Sequence, residues 1–433
     1  IGRDGFAAAV QESVIIDKSL LIADVLDSSA AVTLFCRPRR FGKSLNMTML
    51  KAFFEIPPAS DPNAEDAAYL FEGLSIWDAG GGRYREYQGA YPVIYISFNP
   101  VKKQRWEDAK SALRQLIVWE YIRHGYLSDS SELNEQERAY FDRVAGWKAT
   151  DGDIESSLIN LTRLLFKHHG RRTVVLIDEY DAPVMAARDN GYYDEMVSFL
   201  KGWLTAALKD GGQALAFACL TGVQRISKES VFSDLNNLVV NTSLNTKYDE
   251  RYGFTEDEVR ALANYLGQAA HFPEMRQWYD GYRFGSVDVY NPWSVLNYFD
   301  NDCECAPYWG NTSSNAPIAA MVRGGDARLM RKVYGLLETG GSVEAALDLS
   351  VVFGDLDAKP EALWSLLYLA GYLTTDDTEQ PNSKDVVRRL RIPNLEIASL
   401  YRSEIIDRFA QIAGGRDCLI DLHRALVDGD ADA

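Results

Sequence analysis

The chain has 433 residues, 47% hydrophobic and 25% charged, a composition of globular proteins with room for two or three domains. Lys and Arg number 45 against 62 Asp and Glu, and the formal charge of −17 excludes coating of nucleic acid by bulk charge. Five cysteines without regular spacing exclude a disulfide framework and predict a reducing compartment.

Cys303-Glu-Cys305 is too close-set for a zinc half-site and reads as structural. No run reaches the roughly 18 apolar residues that span a bilayer, so a cytoplasmic protein without membrane contact is expected. The first residues, Ile1-Gly-Arg-Asp-Gly-Phe6, lack the charged-then-apolar layout of a secretion signal.

In chain order, Ile15-Ile-Asp17-Lys18 leads into a short helix predicted over 20–26. Val32-Thr-Leu-Phe-Cys36 reads as an apolar strand, followed by Arg37-Pro-Arg-Arg40-Phe41-Gly42-Lys43-Ser44 and a helix over 45–54. Free backbone N–H groups and the positive end of a helix dipole make such a turn a cradle for phosphate. The pattern Gly-x4-Gly-Lys-Ser/Thr is met at three of four fixed positions, with Arg37 where the first Gly belongs. In that reading Lys43 reaches the β- and γ-phosphates and the Ser44 hydroxyl ligates Mg²⁺. Arg40, Phe41, Gly42 and Leu45 are the further nucleotide-binding candidates. A surface turn with a chance Gly-Lys-Ser is the alternative. Asp17 and Lys18 either border the adenine or belong to an edge strand and packing helix.

Pro92–Phe98 is β-branched and aromatic, a buried strand. Helical patterns follow over 106–124, 135–144 and 154–168, the last with Leu158, Leu161, Leu164 and Leu165 on one face. Arg172-Thr-Val-Val-Leu-Ile-Asp178-Glu179-Tyr-Asp181 is a central parallel strand with paired acids at its C-terminal tip, where open α/β sheets bind ligands. Asp178 would hold the Mg²⁺ shell and Glu179 would polarise an attacking water. A helix over 191–208 precedes a fourth strand, Ala214–Gly222, which ends in Thr221-Gly222 with Arg225 close by. Thr221 is the candidate γ-phosphate sensor and Arg225 a phosphate contact or arginine finger; an ordinary strand cap is the other reading. The strand at 93–98 suggests the ATPase division in which an extra strand separates the phosphate-loop strand from the acidic strand in the sheet. Asn237–Asn241 is a candidate fifth strand.

From Thr255 the pattern turns helical, opening on the capping box Thr255-Glu-Asp-Glu258. Trp278-Tyr-Asp-Gly-Tyr-Arg283-Phe-Gly285 and Tyr290-Asn-Pro-Trp293 are either a hairpin over the nucleotide, with Arg283 on phosphate, or an aromatic minicore joining two domains. Residues 360–372 form an apolar helix, 373–375 and 386–392 a β-hairpin, and 393–409 another helix. That succession reads as a winged-helix module, whose acidic hairpin tip from Asp376 to Glu379 favours a lid or protein contact over DNA.

As a set, these motifs resemble the bacterial AAA-ATPase-like proteins: Arg37-Pro-Arg-Arg-Phe-Gly-Lys-Ser-Leu-Asn46, Leu176-Ile-Asp-Glu-Tyr-Asp181, Leu220-Thr-Gly222, Trp278–Gly285, Tyr290–Ser294 and Asn311-Thr-Ser-Ser-Asn315. The resemblance covers nearly the whole chain, and the family's phosphate loop carries the same Arg for Gly. It implies a nucleic-acid-processing or defence setting. Many members continue into a PD-(D/E)XK nuclease domain, for which no motif is found here: either such a domain has been removed from the sequence or the protein lacks one. Nuclease activity in this chain is not expected, and a nuclease domain or partner protein is the candidate partner.

The expected fold is α/β: a P-loop NTPase domain with a doubly wound parallel sheet (1–245), a helical and aromatic lid (246–315), and an α-rich winged-helix-like domain (316–433). The expected activity is Mg²⁺-dependent ATP hydrolysis. A nucleotide-gated switch with little turnover and a DNA-binding regulator are the alternatives. Oligomeric state and nucleic-acid binding stay open.

Overall fold

Five runs of apolar and β-branched residues pair in parallel into one sheet. They are β1 (Val32–Cys36), β2 (Val93–Ser97), β3 (Thr173–Asp178), β4 (Leu215–Gly222) and β5 (Leu238–Asn241). The computed structural model describes residues 5–57, 67–209, 211–224, 232, 235–310, 318, 327–349, 362–377 and 387–413. The sheet order is β2-β3-β4-β1-β5, and every neighbouring pair is parallel. β1 and β3 are buried along their whole length, which is why they read as unbroken apolar runs and not as alternating ones. The molecule is thus α/β, a parallel sheet among many helices.

The expected arrangement, an extra strand between the strand that precedes Gly42-Lys43-Ser44 and the acidic strand, is present: β4 lies between β1 and β3, and β2, the strand at 93–97, forms the outer edge. Order in sequence does not set order in a sheet, because each crossover helix is long enough to carry the chain past a neighbouring strand.

Edge strands expose unpaired backbone groups, and β2 has them covered by charge. Glu120 Oε1 accepts from the Tyr95 N–H at 2.9 Å, and Arg123 Nη2 donates to the Val93 carbonyl at 2.5 Å. Both side chains come from the Trp106–Arg123 helix, and Arg123 also donates to Glu55. Three capping boxes start helices at Asn134, Thr150 and Thr255, each satisfying amide groups that a helix start leaves free. The helix expected over 154–168 is two pieces, Asp151–Glu155 and Ser157–His169. At the break, Ser156 Oγ donates back to the Gly152 carbonyl at 2.9 Å, competing with the helical ladder.

The chain divides into two compact units, one essentially residues 2–252 and the other essentially 253–433. Among the described residues, the second unit holds two small antiparallel sheets. In one, β6 (Phe254–Thr255), β7 (Tyr282–Phe284) and β8 (Val287–Tyr290) take the order β6-β8-β7. There β7 and β8 form a hairpin, and Tyr279, Tyr290 and Tyr298 are fully buried. In the other, β9 (Val343–Ala346), β10 (Thr374–Thr375) and β11 (Val387–Arg391) take the order β10-β11-β9. The β10–β11 pairing matches the expected hairpin, while β9 is an addition whose sequence carries no strand signal beyond a four-residue alternation. Glu396, from the Leu395–Ala413 helix, accepts from Ser294 Oγ at 2.8 Å and the Trp309 N–H at 2.7 Å. Among the described residues no helix is long and apolar enough to cross a membrane.

Candidate functional site

The C-terminal ends of β1, β3 and β4 meet along one sheet edge: Phe35 stands opposite Thr221, and Ile177 opposite Leu220. From β1 the chain turns into the Lys43–Phe54 helix through two left-handed residues, Arg40 at φ 68° and Gly42 at φ 82°. A Cβ at position 42 would meet nothing within 4 Å, so it is the backbone angle, not space, that calls for glycine. As N-cap, Gly42 brings no side chain to the first-turn amides, which suits a helix start that receives an anion. Arg39, Arg40, Ser44 and Leu45 are exposed around this turn, and Phe41 is buried.

Lys43 is buried, and its Nζ donates to the carbonyls of Arg37 at 3.0 Å and Pro38 at 2.8 Å. Burial lowers its pKa, and the nearby carboxylates of Asp181, Asp178 and Glu179 oppose that shift. Arg37 explains its own presence in place of glycine. It is wholly buried, and its guanidinium donates to the Cys36 carbonyl and to both the carbonyl and the Oδ1 of Asn241, over the ring of Tyr252. This ties the end of β1 to the end of β5.

Asp178 is the hub of the site. Ser44 Oγ donates to its Oδ2 at 2.6 Å, and the Thr221 hydroxyl donates to its Oδ1. Thr221 Oγ1 in turn accepts from the Glu179 N–H at 3.3 Å. Glu179 takes a left-handed backbone at φ 52°, unusual for a residue with a Cβ, and its carboxylate pairs with Lys102 at 3.0 Å. The structure therefore brings together Lys43, Ser44, Asp178, Glu179 and Thr221.

The remaining candidates lie as follows. Asp17 accepts from the Ser19 and Ser75 amides at 2.8 and 2.7 Å, and Lys18 donates to the Glu250 carbonyl at 2.8 Å. Arg283 belongs to the other unit, where it pairs with Asp288 at 2.9 Å. Arg225 lies outside the described residues. Sequence reasoning missed the roles of Arg37, Lys102 and Asp181. Asp181 stands in the quoted acidic motif and could have been singled out there, whereas Lys102 has no local signal.

The AAA-ATPase-like family, described as a predicted AAA-ATPase, matches residues 1–232. The chain belongs to this family. The family is described as a predicted ATPase, and Gly42-Lys43-Ser44, Asp178 and Thr221 all fall inside the matched segment. A relative in Azotobacter chroococcum mcd 1, an uncharacterized protein in the vnfD 5′ region, is 29% identical over 377 residues. That alignment covers 86% of this chain and 63% of the relative, so the chain spans less than two thirds of the relative's length.

Proposed function

We propose that this AAA-ATPase-like chain binds ATP with Mg²⁺ at the sheet edge of β1, β3 and β4 and hydrolyses it by in-line attack of water. The observation that carries the reading is the hydrogen-bonded series Ser44–Asp178–Thr221 beside the buried Lys43. A hydroxyl and a carboxylate are hard oxygen donors, and Mg²⁺ takes one or two such groups, completing its shell with phosphate and water. Ser44 and Asp178 would hold the ion, which supplies neutralisation of phosphate charge. The Gly42–Leu45 backbone, with Arg40 and Phe41, would cradle the phosphates, and Lys43 would turn from the loop carbonyls to the β- and γ-oxygens. Thr221 would orient Asp178 and sense the γ-phosphate, Glu179 would accept the proton of the attacking water, and Arg225 would contact phosphate. Asp17 and Lys18 beside the base belong to the same proposal.

A second reading has one observation in its favour. The Glu179 carboxylate is engaged by Lys102, as a nucleotide-gated switch with slow turnover would hold its base. In either case the second unit, read as a helical and aromatic lid with a winged-helix-like part, would transmit the nucleotide state to a partner protein or nuclease domain. A nucleic-acid-processing or defence setting is part of this proposal.

The test compares ATP binding and phosphate release in the wild type and Lys43→Ala. Loss of binding, or a rate lower by about 10²-fold or more, is expected from removing the phosphate-facing charge. An unchanged rate in Lys43→Ala would refute the assignment.

A further inference from the structure

Asp181 is a carboxylate that the proposed reaction leaves without a task, yet it is only 5% exposed. Burying a carboxylate is costly unless hydrogen bonds compensate it, so its bonds indicate what it holds. One oxygen, Oδ2, accepts from the Val223 N–H at 2.8 Å and the Gln224 N–H at 3.0 Å, the two residues that follow β4. Its neighbour Tyr180 grips the same stretch from both ends. The Tyr180 hydroxyl donates to the Gln224 carbonyl at 2.7 Å, and the Tyr180 N–H donates to the Thr221 carbonyl at 3.0 Å. Between these contacts Gly222 passes so close that a Cβ would lie 2.6 Å from the Tyr180 ring and 2.9 Å from Asp181 Oδ1.

The end of β4 is thereby fastened to the loop that leaves β3. Both ends of that fastening reach the candidate site. Thr221, one residue before Gly222, donates its hydroxyl to Asp178. Asp181 is also the foremost of the carboxylates that act on the buried Lys43.

We infer that Asp181 is a positioning residue: it holds the backbone beyond β4 so that the Thr221 hydroxyl stays on Asp178. The inference rests on the ATPase reading of the same site and adds a residue to it. Because a single oxygen receives both amides, the geometry separates position from charge. Asp181→Asn keeps an acceptor for both N–H groups and loses the charge, whereas Asp181→Ala loses both.

The experiment measures ATP binding and steady-state hydrolysis in the full chain for the wild type, Asp181→Ala, Asp181→Asn and Tyr180→Phe. Asp181→Ala should lower kcat by about 30–100-fold with KM within about threefold, since displacement of an orienting group acts on the reaction more than on binding. Asp181→Asn should restore kcat to within about threefold of wild type, a rescue that general destabilisation does not produce. Tyr180→Phe removes one tether and should give an intermediate fall in kcat at unchanged KM; it decides the matter if Asp181→Ala does not fold. In an active wild type, full activity in Asp181→Ala or Tyr180→Phe overturns the inference. So does an Asp181→Asn as impaired as the Ala variant, which would assign the role to charge. A wild type that neither binds nor hydrolyses ATP overturns the ATPase reading itself, and this inference with it.

Discussion

Ser44 and Asp178 are 134 residues apart in the chain, and a 2.6 Å hydrogen bond joins the serine hydroxyl to the aspartate Oδ2. The contact links the Gly42-Lys43-Ser44 turn to the tip of β3 through the two side chains proposed to hold Mg²⁺. Ser44→Ala removes the donor and one oxygen ligand while leaving Asp178 its Thr221 contact. The Mg²⁺ concentration for half-maximal ATP hydrolysis should rise roughly 10-fold, the scale set by loss of a group that orients a metal ligand. A Mg²⁺ titration of hydrolysis reads this directly.

Glu179→Gln separates hydrolase from switch. As the base of a hydrolase, Glu179 is worth about 10²–10⁴ in turnover, so the variant should retain ATP and hardly release phosphate. A switch would show little change from an already low rate. Stability should hardly respond, because the lost pair with Lys102 is 34% and 47% exposed on its two side chains, and such pairs contribute under about 1 kcal/mol.

The charged cover on β2 is a matter of stability, not chemistry. Glu120 is buried, binds the Tyr95 amide and pairs with Arg123, whose charge and hydrogen bonds outweigh burial and hold the Glu120 pKa well below its ordinary value. Glu120→Ala leaves a buried guanidinium short of its partner and should cost about 3 kcal/mol, read from denaturant unfolding. Stability from this carboxylate is present above its unfolded pKa and is lost as pH falls through the folded value.

Glu396 behaves in the opposite sense. Burial pushes its pKa up from 4.5 to about 7, against the hydrogen bonds from Trp309 and Ser294. Its contribution is therefore fully present below pH 4.5 and is lost as pH rises through about 7. Glu396→Gln can serve both partners without a charge, since its amide donates to Ser294 Oγ and its carbonyl accepts from Trp309. The variant should match wild type at pH 5 and unfold at a higher temperature at pH 8.5, by an amount of order 2 kcal/mol. Thermal unfolding at the two pH values checks it.

Much of the candidate site is legible in the sequence because its signals are local. A strand, a Gly-Lys-Ser turn and a helix follow one another within residues 32–54, and paired acids end the apolar run at Asp178. The Thr255 capping box is likewise complete within four residues. Apolar periodicity and turn chemistry act over a few residues, so they can be read from the chain in order.

Other features depend on partners brought from far along the chain, and only tertiary packing decides those. The seat of β4 between β1 and β3 follows from how crossover helices pack, not from strand composition. Arg37 stands where the general motif has glycine, and what its side chain does there is set by Asn241, 204 residues away, which accepts from its guanidinium. Lys102 and Glu179 are 77 residues apart, and Asp181 finds its amides 42 and 43 residues on. Hydrogen bonds and ion pairs need atoms within about 3 Å, a condition that residue types and spacing leave open until the backbone closes on itself.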